Sequence, residues 1–218
     1  MHSALIFDLD GTLIDSCAIC VDILSEMLAE RGVAQRIDPI AARPWMSHGG
    51  LRMFVALLGA ACGDPAEELA EFRRRYAIRE TRADTLFAHV EDGLVRLHGA
   101  GHTLAICSNK PQNLVDKVLA DTGLAPLFSA VVGGRAELQP KPAPDLLDAV
   151  LAELGVAPAQ CLFIGDSELD HAVADAAGMP FLFLTHGYAD PAYCPDPAFS
   201  YDCFGVLTDA VLTGAPHA

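Results

Sequence analysis

Ala4-Leu5-Ile6-Phe7-Asp8-Leu9-Asp10-Gly11-Thr12 is the stretch around which this chain is organised. Four apolar residues without alternation are the pattern of a strand buried on both faces. Two carboxylates two residues apart follow at its end, where burial without a partner is costly. A hard cation such as Mg²⁺ is the natural partner, since Asp8 and the side chain or backbone carbonyl of Asp10 offer it oxygens. Gly11 lets the chain turn away sharply at the strand tip. Asp-Gly is also an ordinary turn dipeptide, so these residues alone leave a plain polar turn open.

The whole chain supports a buried strand. Its 218 residues suffice for a full core, as one domain with an insertion or as two modest domains. Hydrophobic residues make up 52% and charged residues 20%, the balance of an ordinary globular protein. The formal net charge of -15 argues against nonspecific binding to nucleic acid or to anionic membranes. It leaves room for a small anionic substrate, because a bound cation and a few placed lysines reverse the field locally. No segment is apolar for long enough to span a bilayer, and no basic lead-in with an apolar signal core precedes the first strand. The 7 cysteines form no regular framework, and Cys107 and Cys161 sit within apolar runs. A reducing, cytoplasmic setting is therefore expected. Cys17 and Cys20 make a lone CxxC pair without a second pair at zinc spacing.

From Asp15 to Asp84 the spacing is helical. Val21, Leu24 and Leu28 share a face, as do Leu51, Phe54 and Leu58, and Gly32 is a plausible stop for the first helix. Asp64 as N-cap, Pro65 at the first helical position and Glu67 as capping-box partner start a third helix, with Leu69, Phe72 and Tyr76 as its stripe. Arg73, Arg74 and Arg75 read as a solvated face. From Leu86 onward helices and strands alternate. Helices are expected over 90–98, 112–122, 144–154, 170–177 and 206–212, with strands over 103–107, 130–132, 161–164 and 181–184 and a weak one near Ser200. This predicts a parallel α/β sheet of Rossmann type with helices on both faces, interrupted by an all-helical insertion. The expected boundaries are 1–14 with 84–218 for the α/β part and 15–83 for the insertion.

In such sheets ligands collect beyond the carboxyl ends of the strands. Asp8, Ser108 and Asp166 each follow an apolar strand run, so the topology places them along one edge. Four motifs converge there: Asp8-x-Asp10-Gly11-Thr12, Ser108-Asn109-Lys110, Pro140-Lys141-Pro142, and Gly165-Asp166-Ser167-Glu168-Leu169-Asp170. Each has a bland reading alone: a helix cap for Ser108-Asn109, a solvated charge for Lys141, a strand-to-helix turn for Gly165-Asp166-Ser167. Glu168, His171 and Asp175 read as solvated helix positions. The conjunction of the four motifs, in this order and on these element ends, defeats the bland readings.

That set resembles the haloacid dehalogenase superfamily, and most nearly its phosphoglycolate-phosphatase-like branch, which carries a helical cap between the first motif and the second strand. The resemblance covers essentially the whole chain, including Gly187-Tyr188. It implies a Mg²⁺-dependent phosphatase acting on a small phosphorylated metabolite, working as a monomer or homodimer. Asp8 would be the nucleophile, forming an aspartyl-phosphate, and Asp10 the general acid and base. Thr12, Ser108, Asn109 and Lys141 would hold phosphoryl oxygens or the loop around them. Asp8, the Asp10 carbonyl and Asp166 would hold the metal, with Asp170 orienting Lys141 or a metal-bound water. By the same resemblance, Asp10 favours phosphate esters over carbon–halogen or carbon–phosphorus bonds.

The implied cap would close over the site and choose the substrate, with Arg43, His48, Gly49 and Arg52 as its specificity residues and Trp45 as packing. Ala88-His89 stands where a Pro-Gly pair is common in the family, which puts the second hinge in question. Two rivals remain at this stage: a phosphomutase of the same fold (β-phosphoglucomutase-like), and a catalytically idle binding domain.

Overall fold

Ala4–Phe7 forms the expected strand, β1, and all four residues are fully buried. The computed structural model describes residues 3–47 and 50–214. The later strands are β2 (Thr103–Pro111), β3 (Phe128–Gly134), β4 (Cys161–Gly165), β5 (Phe181–Leu184) and β6 (Ser200–Tyr201). They pair in parallel in the order β3-β2-β1-β4-β5-β6. Between β1 and β2 lie helices α1 (Cys17–Glu30), α2 (Pro39–Ala42), α3 (Gly50–Leu58) and α4 (Pro65–Ile78). The others alternate with strands: α5 (Val90–Gly99), α6 (Gln112–Asp121), α7 (Asp145–Leu154), α8 (Glu168–Ala176) and α9 (Phe204–Thr213). No helix among the described residues is long and apolar enough to cross a membrane.

Two compact units result, Met1–Asp15 with Thr81–Ala218, and Ser16–Glu80. In the first, β1 is flanked on both sides. Phe7, the last residue of β1, stands level with Ile106 of β2 and Ile164 of β4. Alternation then sorts the side chains. Ala4 and Ile6 join Ala105, Cys107, Cys161 and Phe163 on the face covered by Leu146, Leu147 and Val150 of α7 and Val173 of α8. Phe7 points the other way and meets Phe204 of α9, with ring centroids 6.0 Å apart.

Several boundaries differ from expectation, two of them at the strand ends that carry the motifs. The β2 ladder, expected to end at Cys107, runs on to Pro111 through an irregular register against β3, so Ser108-Asn109 does not cap α6, which starts at Gln112 as expected. α8 starts earlier than expected because Ser167 serves as its N-cap, its hydroxyl accepting from the Asp170 N–H at 3.3 Å. At the second crossing His89 has φ 67°, the left-handed conformation that a glycine there would take freely.

The helical unit buries Leu24, Met27 and Leu28 of α1, Met53, Phe54 and Leu58 of α3, and Phe72 and Tyr76 of α4. Phe54 and Phe72 meet edge to face at 5.4 Å. Leu51, expected on the apolar face of α3, is half exposed; Met53 takes that place. Asp64 caps α4 through the N–H groups of Ala66 and Glu67, as expected. The carboxylate that reaches back, however, is that of buried Glu68, which accepts from the Gly63 N–H at 3.0 Å. Arg31, just beyond α1, holds the same carboxylate through both of its terminal nitrogens at 2.5 and 2.6 Å. Arg75 also departs from the solvated reading, because it bonds Glu71 at 2.6 Å and Glu30 of α1 at 2.8 and 2.6 Å. These ion pairs join α1 to α4.

Removing the Glu68 carboxylate leaves the Arg31 guanidinium and the Gly63 N–H without it. Glu68→Ala should therefore destabilise the protein by about 1–3 kcal/mol, and Glu67→Ala by less than about 0.5. Urea melts followed by circular dichroism measure both.

Candidate active site

The strand ends of the sheet gather the charged groups. Lys141, on the connection between β3 and α7, is almost fully buried, and its Nζ lies 2.5 Å from Asp170 Oδ1 and 3.1 Å from Asp8 Oδ1. It also donates to the Cys107 carbonyl at 2.8 Å. Its backbone is fixed by Asn109, whose Oδ1 accepts from the Lys141 N–H at 2.7 Å while its Nδ2 donates to the Lys141 carbonyl at 3.1 Å. The irregular end of β2 thus grips the lysine loop. Burial works against the ammonium, but Asp170 and Asp8 outweigh it and hold it above the ordinary lysine range.

The carboxylates are held as firmly. Asp170 Oδ2 accepts from the Ser167 hydroxyl at 2.6 Å and from the N–H groups of Ser167 and Asp166 at 3.1 and 3.3 Å. Asp166 accepts from the Thr12 hydroxyl at 2.6 Å on Oδ1 and from the Tyr188 N–H at 2.8 Å on Oδ2. Backbone approaches Asp166 so closely that a Cβ at Gly11 (φ +87°) would lie 2.2 Å from Oδ2, and one at Gly187 would lie 2.1 Å from it. Asp8 differs: its Oδ1 is buried and accepts no hydrogen bond of ordinary geometry, despite the ammonium 3.1 Å away.

One oxygen from each of Asp8, Asp166 and Asp170 lies within 4.8 Å of the others. Three carboxylates and one ammonium leave a surplus of two negative charges in a buried space, the charge that a divalent cation would balance. Burial pushes the Asp8 carboxyl up to about 7 against the pull of Lys141, with Asp170 and Asp10 adding to the rise. Burial, then Asp170 and Asp8, likewise raises Asp166 well above the carboxylate range, against its bonds from Thr12 and Tyr188. All-oxygen donors, surplus charge and an under-satisfied Asp8 oxygen all fit Mg²⁺.

Asp10 stands apart from this cluster. Its carboxylate is about a quarter exposed and is bridged by Lys110 Nζ at 3.0 and 3.2 Å. Lys110 was quoted in its motif without a role; its side chain is only 8% exposed. The signal available was a basic residue at a strand end already rich in acids. Ser108 is buried, and its hydroxyl accepts from the Lys110 N–H at 3.3 Å. The structure thus gathers Asp8, Thr12, Asn109, Lys141, Asp166 and Asp170 into one bonded network, with Ser108, Lys110 and Asp10 on the same strand ends.

The other candidates belong to the helical unit. Arg43 opens the short turn Arg43–Trp45 and is half-buried. Arg52 is exposed on α3, in an apolar groove lined by Trp45, Leu51, Val55, Ala56 and Pro65. Trp45, expected as packing, is 39% exposed there. His48 and Gly49 lie outside the described residues.

Residues 5–184 match the family model described as haloacid dehalogenase-like hydrolase. The chain is 35% identical over 194 residues to the plasmid-borne phosphoglycolate phosphatase of Cupriavidus necator, spanning 87% of this chain and 83% of that one. It is 36% identical to the phosphoglycolate phosphatase of Rhodobacter capsulatus, over 86% of each chain. Among solved structures it is similar to a predicted phosphoglycolate phosphatase from Haemophilus somnus 129pt, with a TM-score of 0.80 at 25% identity over 96% of this chain and 98% of the other.

The raised Asp8 carboxyl has a consequence for stability. Without a divalent cation the folded protein binds more protons than the unfolded chain between the ordinary value of 3.8 and about 7. Stability should therefore increase as pH falls from about 7 to about 5, by up to about 1 kcal/mol per pH unit, and Asp166 adds in the same direction. Millimolar Mg²⁺ should flatten this slope, because the ion favours the charged carboxylates. Thermal melts against pH, with EDTA or Mg²⁺, read this directly.

Proposed function

Because this chain belongs to the haloacid dehalogenase-like hydrolases and is a phosphoric monoester hydrolase, we propose that it cleaves a small phosphate monoester of the phosphoglycolate class through an aspartyl-phosphate on Asp8. The observation that carries the reading is the division of labour at one strand end. Asp8 lies inside the buried, over-charged cluster, while Asp10 lies outside it on a half-open edge.

Asp8 attacks phosphorus in line with the leaving oxygen, and the phosphorus–oxygen bond to the alcohol breaks as the bond to Asp8 forms. Asp10 gives the leaving oxygen its proton. In the second step Asp10 takes a proton from water as that water attacks phosphorus, which releases phosphate and regenerates the Asp8 carboxylate. Lys141, fixed by Asn109 and Asp170, supplies positive charge beside Asp8. The Ser108 hydroxyl and the Asn109 N–H hold transferring oxygens, and Thr12 keeps Asp166 in place. Asp8 and Asp166, with the Asp10 carbonyl, would hold Mg²⁺, which would supply charge neutralisation for the phosphoryl group. Asp170 acts on the lysine and on the turn Asp166-Ser167.

The helical unit, residues 15–83 in the sequence division, is assigned the choice of substrate, with Arg43 and Arg52 pairing a substrate carboxylate through the guanidinium fork. A cytoplasmic setting, in which buried Cys107 and Cys161 stay reduced, completes the reading.

Phosphate release from a panel of small monoesters, phosphoglycolate and sugar phosphates among them, tests the proposal. Release should require Mg²⁺ and fall by about a thousandfold or more in Asp8→Asn. Turnover that persists in Asp8→Asn excludes the covalent route. Arg43→Ala and Arg52→Ala should raise KM for carboxylated substrates more than for plain alkyl phosphates. An equal KM for both classes removes these arginines from substrate recognition.

A further inference from the structure

We propose that Tyr188 is a positioning residue that ties the buried carboxylate cluster to the chain crossing at Asp15, so that cation binding and the crossing are energetically coupled. The inference rests on the reading of Asp8 and Asp166 as cation ligands and goes beyond it.

Tyr188 follows β5 and is 2% exposed. Its two ends are bonded to different things. The backbone N–H donates to Asp166 Oδ2 at 2.8 Å, and the phenol hydroxyl donates to Asp15 Oδ1 at 2.7 Å. The ring between them has little room to move: a Cβ on Gly11 would lie 2.8 Å from Tyr188 Cδ2. A side chain with two torsions, wedged in this way, transmits a displacement at one end to the other.

Asp15 is the last residue before the helical unit. Its N–H bonds the Thr85 carbonyl at 2.8 Å, and the Phe87 N–H bonds the Leu13 carbonyl at 3.0 Å. Ile14 and Leu86 form an antiparallel bridge, so the outgoing and returning segments are joined to each other. The neighbour of Tyr188 in the same loop also holds this pair. His186 stacks on Phe87 with centroids 3.9 Å apart, and its Nε2 lies 3.3 Å from the Thr12 carbonyl. Thr12 in turn bonds the other oxygen of Asp166. One short loop therefore touches both the site and the two segments that lead out of it. A buried tyrosine hydroxyl needs a partner in any fold, so the hydrogen bond alone does not establish coupling. The double attachment is what carries the proposal: a shift of Asp166 on taking up a cation reaches Asp15 through one residue bonded at both ends, and linkage makes the effect reciprocal.

Mg²⁺ dissociation constants by titration calorimetry test this, with the wild type beside Tyr188→Phe, Asp15→Ala, the double variant and Asp15→Asn. Tyr188→Phe and Asp15→Ala should each weaken Mg²⁺ binding by about 3- to 10-fold, although neither removes a ligand. The double variant should be no weaker than either single one, and Asp15→Asn should bind normally because its amide oxygen still accepts the hydroxyl. Unchanged affinity in Tyr188→Phe, or losses that multiply in the double variant, overturn the coupling. Where Asp15→Ala fails to fold, hydrogen exchange on wild type and Tyr188→Phe serves instead. Mg²⁺ should slow exchange at residues 13–16 and 85–87 in the first and not in the second, and equal slowing in both overturns the proposal. Wild-type protein that takes up no Mg²⁺ defeats the cation reading and this inference together. Binding that Tyr188→Phe leaves intact defeats the coupling alone.

Discussion

One ammonium set among three carboxylates governs the α/β unit. Lys141 comes from the loop after β3, Asp8 from the end of β1, and Asp166 and Asp170 from the turn after β4. None of these groups is tolerable alone in a buried place, since a lone charge there costs several kcal/mol. Together they still carry surplus negative charge, and burial accordingly pushes Asp8 and Asp166 toward their neutral forms. The strand ends, the tight turns at Gly11 and Gly187, and the grip of Asn109 on the lysine backbone all serve to hold this imbalance in a small volume. A site built this way is complementary to a divalent ion, which would balance the surplus charge.

Much of this was legible in the sequence, because the signals were local. An uninterrupted apolar run marks a doubly covered strand, and a polar residue directly after it marks the ligand edge, which placed Asp8, Ser108 and Asp166 without coordinates. Pairings across long sequence distance were not legible. Nothing near Lys110 announces that it bridges Asp10, and nothing in Asn109 announces that its side chain holds the Lys141 backbone. The misreadings in the helical unit have the same origin. Glu67 sits at the capping-box position by spacing, yet Glu68 is the residue that turns toward Arg31, and a partner 37 positions away leaves no local mark. Leu51 fits the helical stripe as well as Met53 does, and only the direction of burial separates them.

The proposed chemistry and the proposed selection fall on different lengths of chain. Every group with a proposed part in phosphoryl transfer belongs to Met1–Asp15 and Thr81–Ala218, while the candidate recognition arginines belong to Ser16–Glu80. The helical unit is tied internally by ion pairs between α1 and α4 and by an aromatic contact between α3 and α4. Its groove around Trp45 and Arg52 is mostly apolar. His89 shows how the joining segments accept unusual sequence: it keeps the left-handed geometry and forgoes the glycine.

The central place of β1 also sets the order of assembly. This strand is made before both of its neighbours, Thr103–Pro111 and Cys161–Gly165. The helical unit is contiguous, so it is complete in sequence long before either neighbour exists. During that interval β1 has two unpaired edges and four apolar side chains with nothing to cover them, the combination that makes nascent chains prone to misassociation. Its length of four residues limits the hazard. Asp8 thus waits for its surroundings until Asp170, far later in the chain, has emerged and the cluster can close.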